Sequence, residues 1–248
     1  MKSQGNVIRY NTFNNNPLAQ VVCRTGDKNR IYGNFFINSG GIRVKEGKNY
    51  MIYNNYFQGA GDSAFGTIEL MQYSGTPTDT NRVENVYLYH ITFYNPGVID
   101  LDGGSSTKSP LNTKFANNIF YKTSGTILSN PGSYGTYLGN IFYGGAALGR
   151  TYTAAEFRYI NPLLALNSYG YYALSSTSPA IDTSNGTYTA IQNNPYVDVD
   201  PNLMLDIERQ ARPADKTLKD VGCDEYTTGT VTNHPMTSCD AGPSYITH

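Results

Sequence analysis

The chain has 248 residues, with 18 Lys and Arg against 19 Asp and Glu, so its formal net charge is −1. This balance does not favour a nucleic acid or an anionic membrane surface as a partner. Charged residues make up only 15% of the chain, and the polar surface comes mainly from Asn, Gly, Tyr, Thr and Ser. That composition favours strands and tight turns, and it excludes a coiled coil or a helical bundle.

Targeting signals and cysteine patterns give little information. Met1–Gly5 contains no apolar stretch, so no signal peptide is expected in the chain as given. No apolar run approaches the length of a membrane-spanning helix. The three thiols form neither a zinc-ligand pattern nor a disulfide framework, although the sequence is compatible with one bridge between Cys223 and Cys239.

A short unit of Asn, any residue and Phe recurs along the first 150 residues. Its copies are Asn11-Thr12-Phe13, Asn34-Phe35-Phe36, Asn55-Tyr56-Phe57, Asn118-Ile119-Phe120 and Asn140-Ile141-Phe142, with a degenerate copy at Ile91-Thr92-Phe93. A period of just over 20 residues, built from short strands, Asn, Gly and aromatics, is typical of a parallel β-solenoid. We therefore expect an all-β parallel β-helix with an inward Asn ladder and an inward Phe stack.

Two departures from the period mark the organisation of the chain. The interval between Phe57 and Phe93 is longer than the others, and the Gly-, Ser- and Thr-rich segment Gly59–Thr80 predicts an inserted loop there. After about residue 150 the pattern changes, and Thr151–Phe157 is compatible with a short helical turn. We expect one domain over 1–248, with regular coils over 1–150 and irregular C-terminal coils and a tail over 151–248.

Positively charged residues recur at about the same period. Lys2 and Arg24 are 22 residues apart, and Arg43 follows 19 residues later. We expect these three side chains on neighbouring coils of one face, where they repel each other unless an anion binds among them. The stripe is either a site for a uronic-acid polymer or a solvated basic face.

Several segments taken together resemble polysaccharide lyase family 6, which contains alginate lyases and chondroitinase B. The resemblance rests on an ordered set of motifs along nearly the whole chain: Asn6–Phe13, Arg24-Thr25-Gly26, Gly41-Ile42-Arg43-Val44, Asn54–Phe57, Asn117–Tyr121, Leu138–Gly145, Ser178–Asp182 and Asp220–Glu225. It implies a right-handed parallel β-helix that cleaves an anionic uronate polymer, most readily alginate, by β-elimination. Relatives are exported, so the resemblance also implies a secreted or periplasmic protein.

The resemblance assigns roles to individual residues. Lys2 matches the catalytic Lys that removes the C5 proton of a uronate, and Arg24 matches the Arg close to the leaving oxygen. Arg43 matches a substrate-binding Arg, and Lys108 lies where relatives place a basic substrate contact. Thr25 stands where the family usually has a His, and we group it with the substrate-binding residues. These residue types suit the chemistry because cations neutralise the carboxylate and lower the pKa of a nearby Lys.

The chain also differs from the family at its start. Relatives have several coils before the catalytic Lys, including Glu ligands for a calcium ion, and none of those ligands can be assigned here. Calcium is therefore a cofactor that the resemblance implies but this chain does not supply, and we assign no metal ligands. The chain resembles the C-terminal half of such an enzyme, so we expect weakened activity and a homo-oligomer or another cover over the first coil.

Other candidate residues have a structural alternative that we favour. Asp100 and Asp102 alternate onto one strand face, and Asp62 and Glu69 lie in or near the inserted loop; a carboxylate pair would suit a pectinase-like glycoside hydrolase. His90 is expected to be structural, and the acidic group Asp198, Asp200 and Asp206 is expected to cap turns. The remaining candidates, without an assigned role, are the glycosylation pattern at Asn185-Gly186-Thr187 and the tail histidines His234 and His248.

Three functions therefore remain open. The first is a uronate polysaccharide lyase, and the second is a non-catalytic solenoid that binds polysaccharide through the same cationic, Tyr-containing groove. The third is a hydrolase that uses Asp100 and Asp102. The products separate the first from the third, because elimination leaves a C4=C5 double bond and hydrolysis leaves a saturated end.

Overall fold

The computed structural model describes residues 4–18, 20–59, 61, 66–71, 82–101, 109–129, 135–187 and 204–236. Over these ranges the chain forms short strands and almost no helix. In chain order the strands are β1 (Val7–Arg9), β2 (Thr12–Asn14), β3 (Val21–Arg24), β4 (Arg30–Tyr32), β5 (Phe35–Ile37), β6 (Ile42–Lys45), β7 (Lys48–Tyr53), β8 (Tyr56–Gln58), β9 (Ile68–Met71), β10 (Glu84–Tyr89), β11 (Thr92–Tyr94), β12 (Ile99–Asp100), β13 (Thr113–Ala116), β14 (Ile119–Tyr121), β15 (Leu128–Ser129), β16 (Gly135–Leu138), β17 (Asn140–Tyr143), β18 (Phe157–Tyr159), β19 (Leu164–Leu166) and β20 (Tyr172–Leu174).

Three parallel sheets run along the length of the molecule. The first sheet has the order β1-β4-β7-β10-β13-β16, the second β18-β17-β14-β11-β8-β5-β2, and the third β15-β12-β9-β6-β3. Each coil adds one strand to each sheet, so every third strand along the chain pairs with its equivalent in the next coil. This is the predicted parallel β-helix, and its regular parallel pairing confirms the fold class.

An aromatic stack fills the interior, as the repeat predicts. The rings of Phe13, Phe36, Phe57, Phe93 and Phe120 follow one another with centroids 4.6–5.2 Å apart and nearly parallel planes. They belong to one apolar cluster with the inward residues of the other two sheets. The Phe of each repeat unit therefore forms the core, one ring per coil.

Asn side chains form the predicted ladder beside this stack. Asn34 Oδ1 accepts hydrogen bonds from the backbone N–H and the side-chain amide of Asn11, and Asn34 Nδ2 donates to Asn55 Oδ1. Asn118 donates to Asn140 Oδ1 in the same way farther along. At Ile91, where the repeat has no Asn, the backbone N–H still donates to Asn118 Oδ1. At these corners, the polar groups of one coil thus form their hydrogen bonds with the Asn side chain of the next coil.

The predicted inserted loop contains a regular element. Ile68–Met71 forms β9 of the third sheet, with Ile68 and Leu70 facing the core, so assigning all of Gly59–Thr80 to a loop was wrong. Alternating apolar residues over Ile68–Leu70 place this strand in register with its neighbours despite the Gly and Ser residues around it. Glu69, expected in or near that loop, lies in the same strand.

The C-terminal residues cover the outer surface of the coils. The turn at Thr153–Glu156 closes with a hydrogen bond from the Phe157 N–H to the Thr153 carbonyl, and β18 follows at once. β19 and β20 then pair as an antiparallel hairpin. Farther on, Arg212 is buried and donates to Asn54 Oδ1 and to the Glu225 carboxylate, which ties this segment to the helix.

Three edge strands lie at the N-terminal end of the described coils. β1, β2 and β3 each end their sheet, and their core-facing residues Ile8 and Phe13 are only partly buried. Among the residues described, no helix has the length and apolar character needed to cross a membrane.

Candidate active site

The outer face of the third sheet carries the charged residues of interest. Along its strands the inward positions Val21, Ile42, Val44, Ile68, Leu70, Ile99 and Leu128 belong to the apolar core. Side chains alternate between the two faces of a strand. The outward set is therefore Val22 and Arg24 on β3, Arg43 and Lys45 on β6, Glu69 and Met71 on β9, Asp100 on β12, and Ser129 on β15.

The strand register sets which of these residues are neighbours. Arg24 pairs with Lys45, and Val22 pairs with Arg43. Arg24 and Arg43 lie on neighbouring coils of one face, as expected, but they are offset by two residues, because the third sheet advances 21 residues from β3 to β6 and Arg43 follows Arg24 by 19. Arg43 is in register with Glu69 on the other side. Neighbouring strands lie about 4.8 Å apart, so each pair is in close reach.

Arg43 is neutralised within the protein. Its Nε donates to Glu69 Oε2, and the side chains of the two residues are 9% and 7% exposed. Burial raises the pKa of Glu69 above its ordinary value, and the Arg43 charge acts against that shift. The Arg43–Glu69 ion pair joins β6 to β9. Arg43 therefore has a structural role in addition to the substrate contact that the resemblance implies.

Lys45 is the residue that sequence reasoning missed. It is buried, and burial lowers the pKa of its amine, with the positive charges of Arg43 and Arg24 adding to the effect. Its distance from Arg24 along the chain, 21 residues, matches the coil period better than that of Arg43, and this was the available signal.

Arg24 is the exposed cation on this face. It ends β3, and Thr25 follows in the left-handed backbone region with φ 47°. The Thr25 N–H donates to the Lys45 carbonyl at 2.8 Å, which fixes the corner. Glu46, one coil later, repeats this conformation with φ 55°. Thr25 thus forms the turn after Arg24 through its backbone conformation and its backbone hydrogen bond.

Charge changes sign along the outer face. Arg24 and Lys45 lie on the first two strands, whereas Glu69 and Asp100 are register partners on the next two. Of the carboxylate pair suggested for a hydrolase, Asp100 lies on this face and Asp102 lies outside the described residues. The partner that the register gives Asp100 is Glu69, which already binds Arg43. An anion would therefore be attracted to the end of the face that carries Arg24.

Several predicted residues lie outside the described ranges, namely Lys2, Lys108, Asp62, Asp198, Asp200, Cys239 and His248. Their placement relative to the site is therefore not tested by the structure. The bridge suggested between Cys223 and Cys239 is likewise untested, because Cys239 lies outside these ranges; Cys223 itself is buried. Lys2 and Lys108 remain predictions.

Three of the remaining candidates make structural contacts. His90 is buried, with Nδ1 3.0 Å from the Asp220 carbonyl oxygen, and burial lowers the pKa of its ring well below the usual value. Asp206 Oδ1 accepts the N–H of Gln210, so it caps a turn as expected. Asn185 accepts hydrogen bonds from Thr187 in a local turn.

Calcium finds no suitable ligand set beside Arg24 among the described residues. The close carboxylate groups of the described chain are Asp182, Asp220 and Glu225, and Asp206, Glu208 and Asp224, and both belong to the C-terminal segment. Their oxygens already accept hydrogen bonds from the chain, such as those from Leu174 N–H to Asp224 and from Tyr226 N–H to Asp220.

Comparisons with known proteins place the fold in context. No family model and no curated protein matches the chain. Among solved structures, it is similar to the PL6 family alginate lyase AlyGC with a TM-score of 0.59 and 22% identity, and to a single-site mutant of that enzyme with a TM-score of 0.60 and 21% identity. Each match covers 70% of this chain and 25% of the other, so this chain spans about a quarter of those enzymes. At this identity, the likeness establishes that the chain has the parallel β-helix fold of these polysaccharide lyases.

Proposed function

We propose that this protein is a polysaccharide lyase that cleaves a uronate polymer, with alginate as the favoured substrate. The observation that carries the proposal is the pairing of Arg24 with Lys45 on the outer face of the third sheet, in a fold shared with alginate lyases. Arg24 is exposed, and Lys45 on the adjacent strand is buried. Together they make this end of the face positively charged, although the net charge of the whole chain is −1.

The reaction would be a β-elimination. A base removes the proton from C5 of a uronate, the electrons of that C–H bond form the C4=C5 double bond, and the C4–O bond to the neighbouring sugar breaks. The leaving oxygen takes a proton. The difficult step is the first one, because negative charge develops on a group already bearing a carboxylate, and fixed positive charges nearby lower its free energy.

Named residues would divide these tasks. Lys2 is the proposed base and Arg24 the group close to the leaving oxygen, as the family resemblance assigns them. Lys45 would supply positive charge to the carboxylate and the developing enolate from the adjacent strand, a task that the family resemblance assigns to calcium. Arg43, held by Glu69, would keep β6 and β9 in register under this site and, as the resemblance implies, would contribute a contact to the substrate.

A second candidate function is a non-catalytic scaffold that binds the same polymer. It is favoured by the charge of the outer face, where Arg24 and Lys45 attract an anionic polymer whether or not a base acts beside them. The scaffold needs only the cations of the outer face and no preorganised base. In either case we expect the protein to act in the periplasm or the medium.

The ultraviolet absorbance of the unsaturated product separates these functions. Purified protein mixed with alginate should produce a rise that is lost in Arg24→Ala and in Lys2→Ala while the circular dichroism spectrum stays unchanged. Binding of alginate without any rise would establish the scaffold. Saturated reducing ends without absorbance would show hydrolysis and contradict both.

A further inference from the structure

A row of tyrosines runs along the outer face of the second sheet, away from the cationic residues. Tyr94 on β11, Tyr121 on β14 and Tyr143 on β17 are register partners. The rings of Tyr94 and Tyr121 are stacked with centroids 4.8 Å apart, and those of Tyr121 and Tyr143 are 5.8 Å apart and tilted by 39°. The coil period thus repeats an aromatic ring on the outside as well as in the core.

A tyrosine from the C-terminal hairpin stacks on one end of this row. Tyr172 of the β19–β20 hairpin stacks on Tyr94 with centroids 3.8 Å apart and planes within 13°. At the other end of the row Tyr143 is 39% exposed. One end is therefore covered by a flat ring from the same molecule, and the other is partly exposed to solvent.

A cleft of about 380 Å³ opens at that exposed end. Its walls include Tyr121, Tyr143 and Tyr159, and Tyr159 is 59% exposed, with its ring edge-on to Phe142 at 5.8 Å. The lining includes a tight turn at Gly144, where a Cβ would lie 2.0 Å from the Lys122 carbonyl oxygen, so only glycine allows this close approach. This turn directly follows Tyr143, and Tyr159 lies on the neighbouring strand β18.

The lining chemistry selects the ligand. The residues around the cleft are aromatic rings, glycines and Thr123, and none of them carries a charge. Tyrosine combines a large apolar face with a hydroxyl at its tip. A sugar ring has the matching pattern, with C–H bonds on its flat faces and hydroxyls around its rim. No cation lies among the lining residues, so a uronate ring would stack here with its carboxylate directed to solvent.

The location also suits a polysaccharide. The turn over 122–127 leads directly from β14 to β15 of the third sheet, so the cleft lies at the corner beside the face that carries Arg24. Four strand spacings separate β3 from β15, which is about 19 Å at about 4.8 Å per spacing. One extended polymer lying along the helix could contact both regions.

We infer that this cleft, which we call the tyrosine cleft (Tyr121, Thr123, Tyr143, Gly144 and Tyr159), is a second carbohydrate-binding site that stacks a pyranose ring of a polysaccharide against its exposed tyrosine rings, Tyr143 and Tyr159. It is separate from the cationic face and does not depend on that face being catalytic. Because its contacts are uncharged, its binding is insensitive to salt, whereas binding at Arg24 and Lys45 weakens as salt rises.

The test is a titration of the full chain, carrying Arg24→Ala and ¹³C-labelled tyrosine, with an alginate hexasaccharide at high salt, followed by nuclear magnetic resonance. Ring signals are assigned with single Tyr→Phe variants. The inference predicts that the Tyr143 and Tyr159 signals shift, and that Tyr159→Ala weakens binding about 2- to 10-fold, the gain expected for one aromatic stacking contact. Tyr159→Phe should keep affinity within about twofold, because the ring remains.

A matched control is Tyr226→Ala, which removes a 45% exposed tyrosine that does not line the cleft and should leave affinity unchanged. The inference is overturned if the Tyr143 and Tyr159 signals stay still, if Tyr159→Phe loses as much affinity as Tyr159→Ala, or if no sugar binds at high salt. The lyase proposal is tested separately: it fails if the unsubstituted protein gives no absorbance rise with alginate. That result would not affect this titration, which measures binding only.

Discussion

Replacing Glu69 with methionine tests the arrangement of charges at the centre of the outer face. In the folded chain the Arg43 guanidinium donates to the Glu69 carboxylate, and both side chains are less than one-tenth exposed. Glu69→Met removes the negative partner but keeps much of the side-chain volume. The Arg43 charge is then left buried among Val22, Lys45 and the new methionine.

The expected loss is large. Removing one partner of a buried ion pair costs about 3–5 kcal/mol, because the remaining charge has lost its solvation without compensation. For a chain of this size each kcal/mol shifts the thermal midpoint by about 2–4 °C, so the midpoint should fall by roughly 6–20 °C. The measurement is thermal unfolding followed by circular dichroism.

Two controls isolate the effect. The double variant Arg43→Met with Glu69→Met should recover most of the loss, since replacing a whole buried pair by apolar side chains is often neutral. Glu84→Met breaks the Lys48–Glu84 pair, whose side chains are 38% and 30% exposed, and should cost about 0–1 kcal/mol. A Glu69→Met midpoint as high as that of Glu84→Met would refute the buried pair and the neutralisation of Arg43.

Further predictions concern the C-terminal segment, the Asn ladder and the cation beside Arg24. Burial raises the pKa of Asp224 to about 8. The folded chain therefore binds this proton more tightly than the unfolded chain, and stability should fall as pH rises from about 4 to 8. The variant Asp224→Asn still accepts the Leu174 N–H and should flatten that fall when unfolding midpoints are measured across this pH range. Asn34→Leu leaves the Asn11 N–H without its acceptor and should cost at least about 1–3 kcal/mol in urea unfolding. Lys45→Met should lower kcat/KM for alginate about 10²-fold in the absorbance assay, and Lys45→Arg should restore part of it; an unchanged rate in Lys45→Met would remove Lys45 from the chemistry.

The fold could be predicted because its signals are local and repeated. Each Asn and Phe of the repeat contacts its own equivalents in the adjacent coils, so the period in the sequence is the spacing in the structure. The Phe57–Phe93 interval obscured β9, since the Gly- and Ser-rich residues on either side concealed the short alternation of Ile68-Glu69-Leu70.

The site was only partly predictable, because it depends on register. Arg24 was found, but its neighbour is Lys45 and not Arg43, and a difference of two residues decides which cation lies beside it. The Arg43–Glu69 pair joins residues 26 apart across an interval of irregular length, so no fixed period indicates it. The Tyr94–Tyr121–Tyr143 row carried a periodic signal, but its exposure at one end depends on where the β19–β20 hairpin packs.

The most direct test of the central claim compares two arginines of the same coil. Arg24 lies on the outer face of the third sheet, and Arg9, also exposed, ends β1 of the first sheet. Alginate is mixed with the unsubstituted protein, Arg24→Ala or Arg9→Ala, and ultraviolet absorbance of the unsaturated product is followed. The account predicts a rise that Arg24→Ala abolishes and Arg9→Ala retains. Equal rates in the two variants, or product formation that survives without Arg24, would contradict the placement of the site.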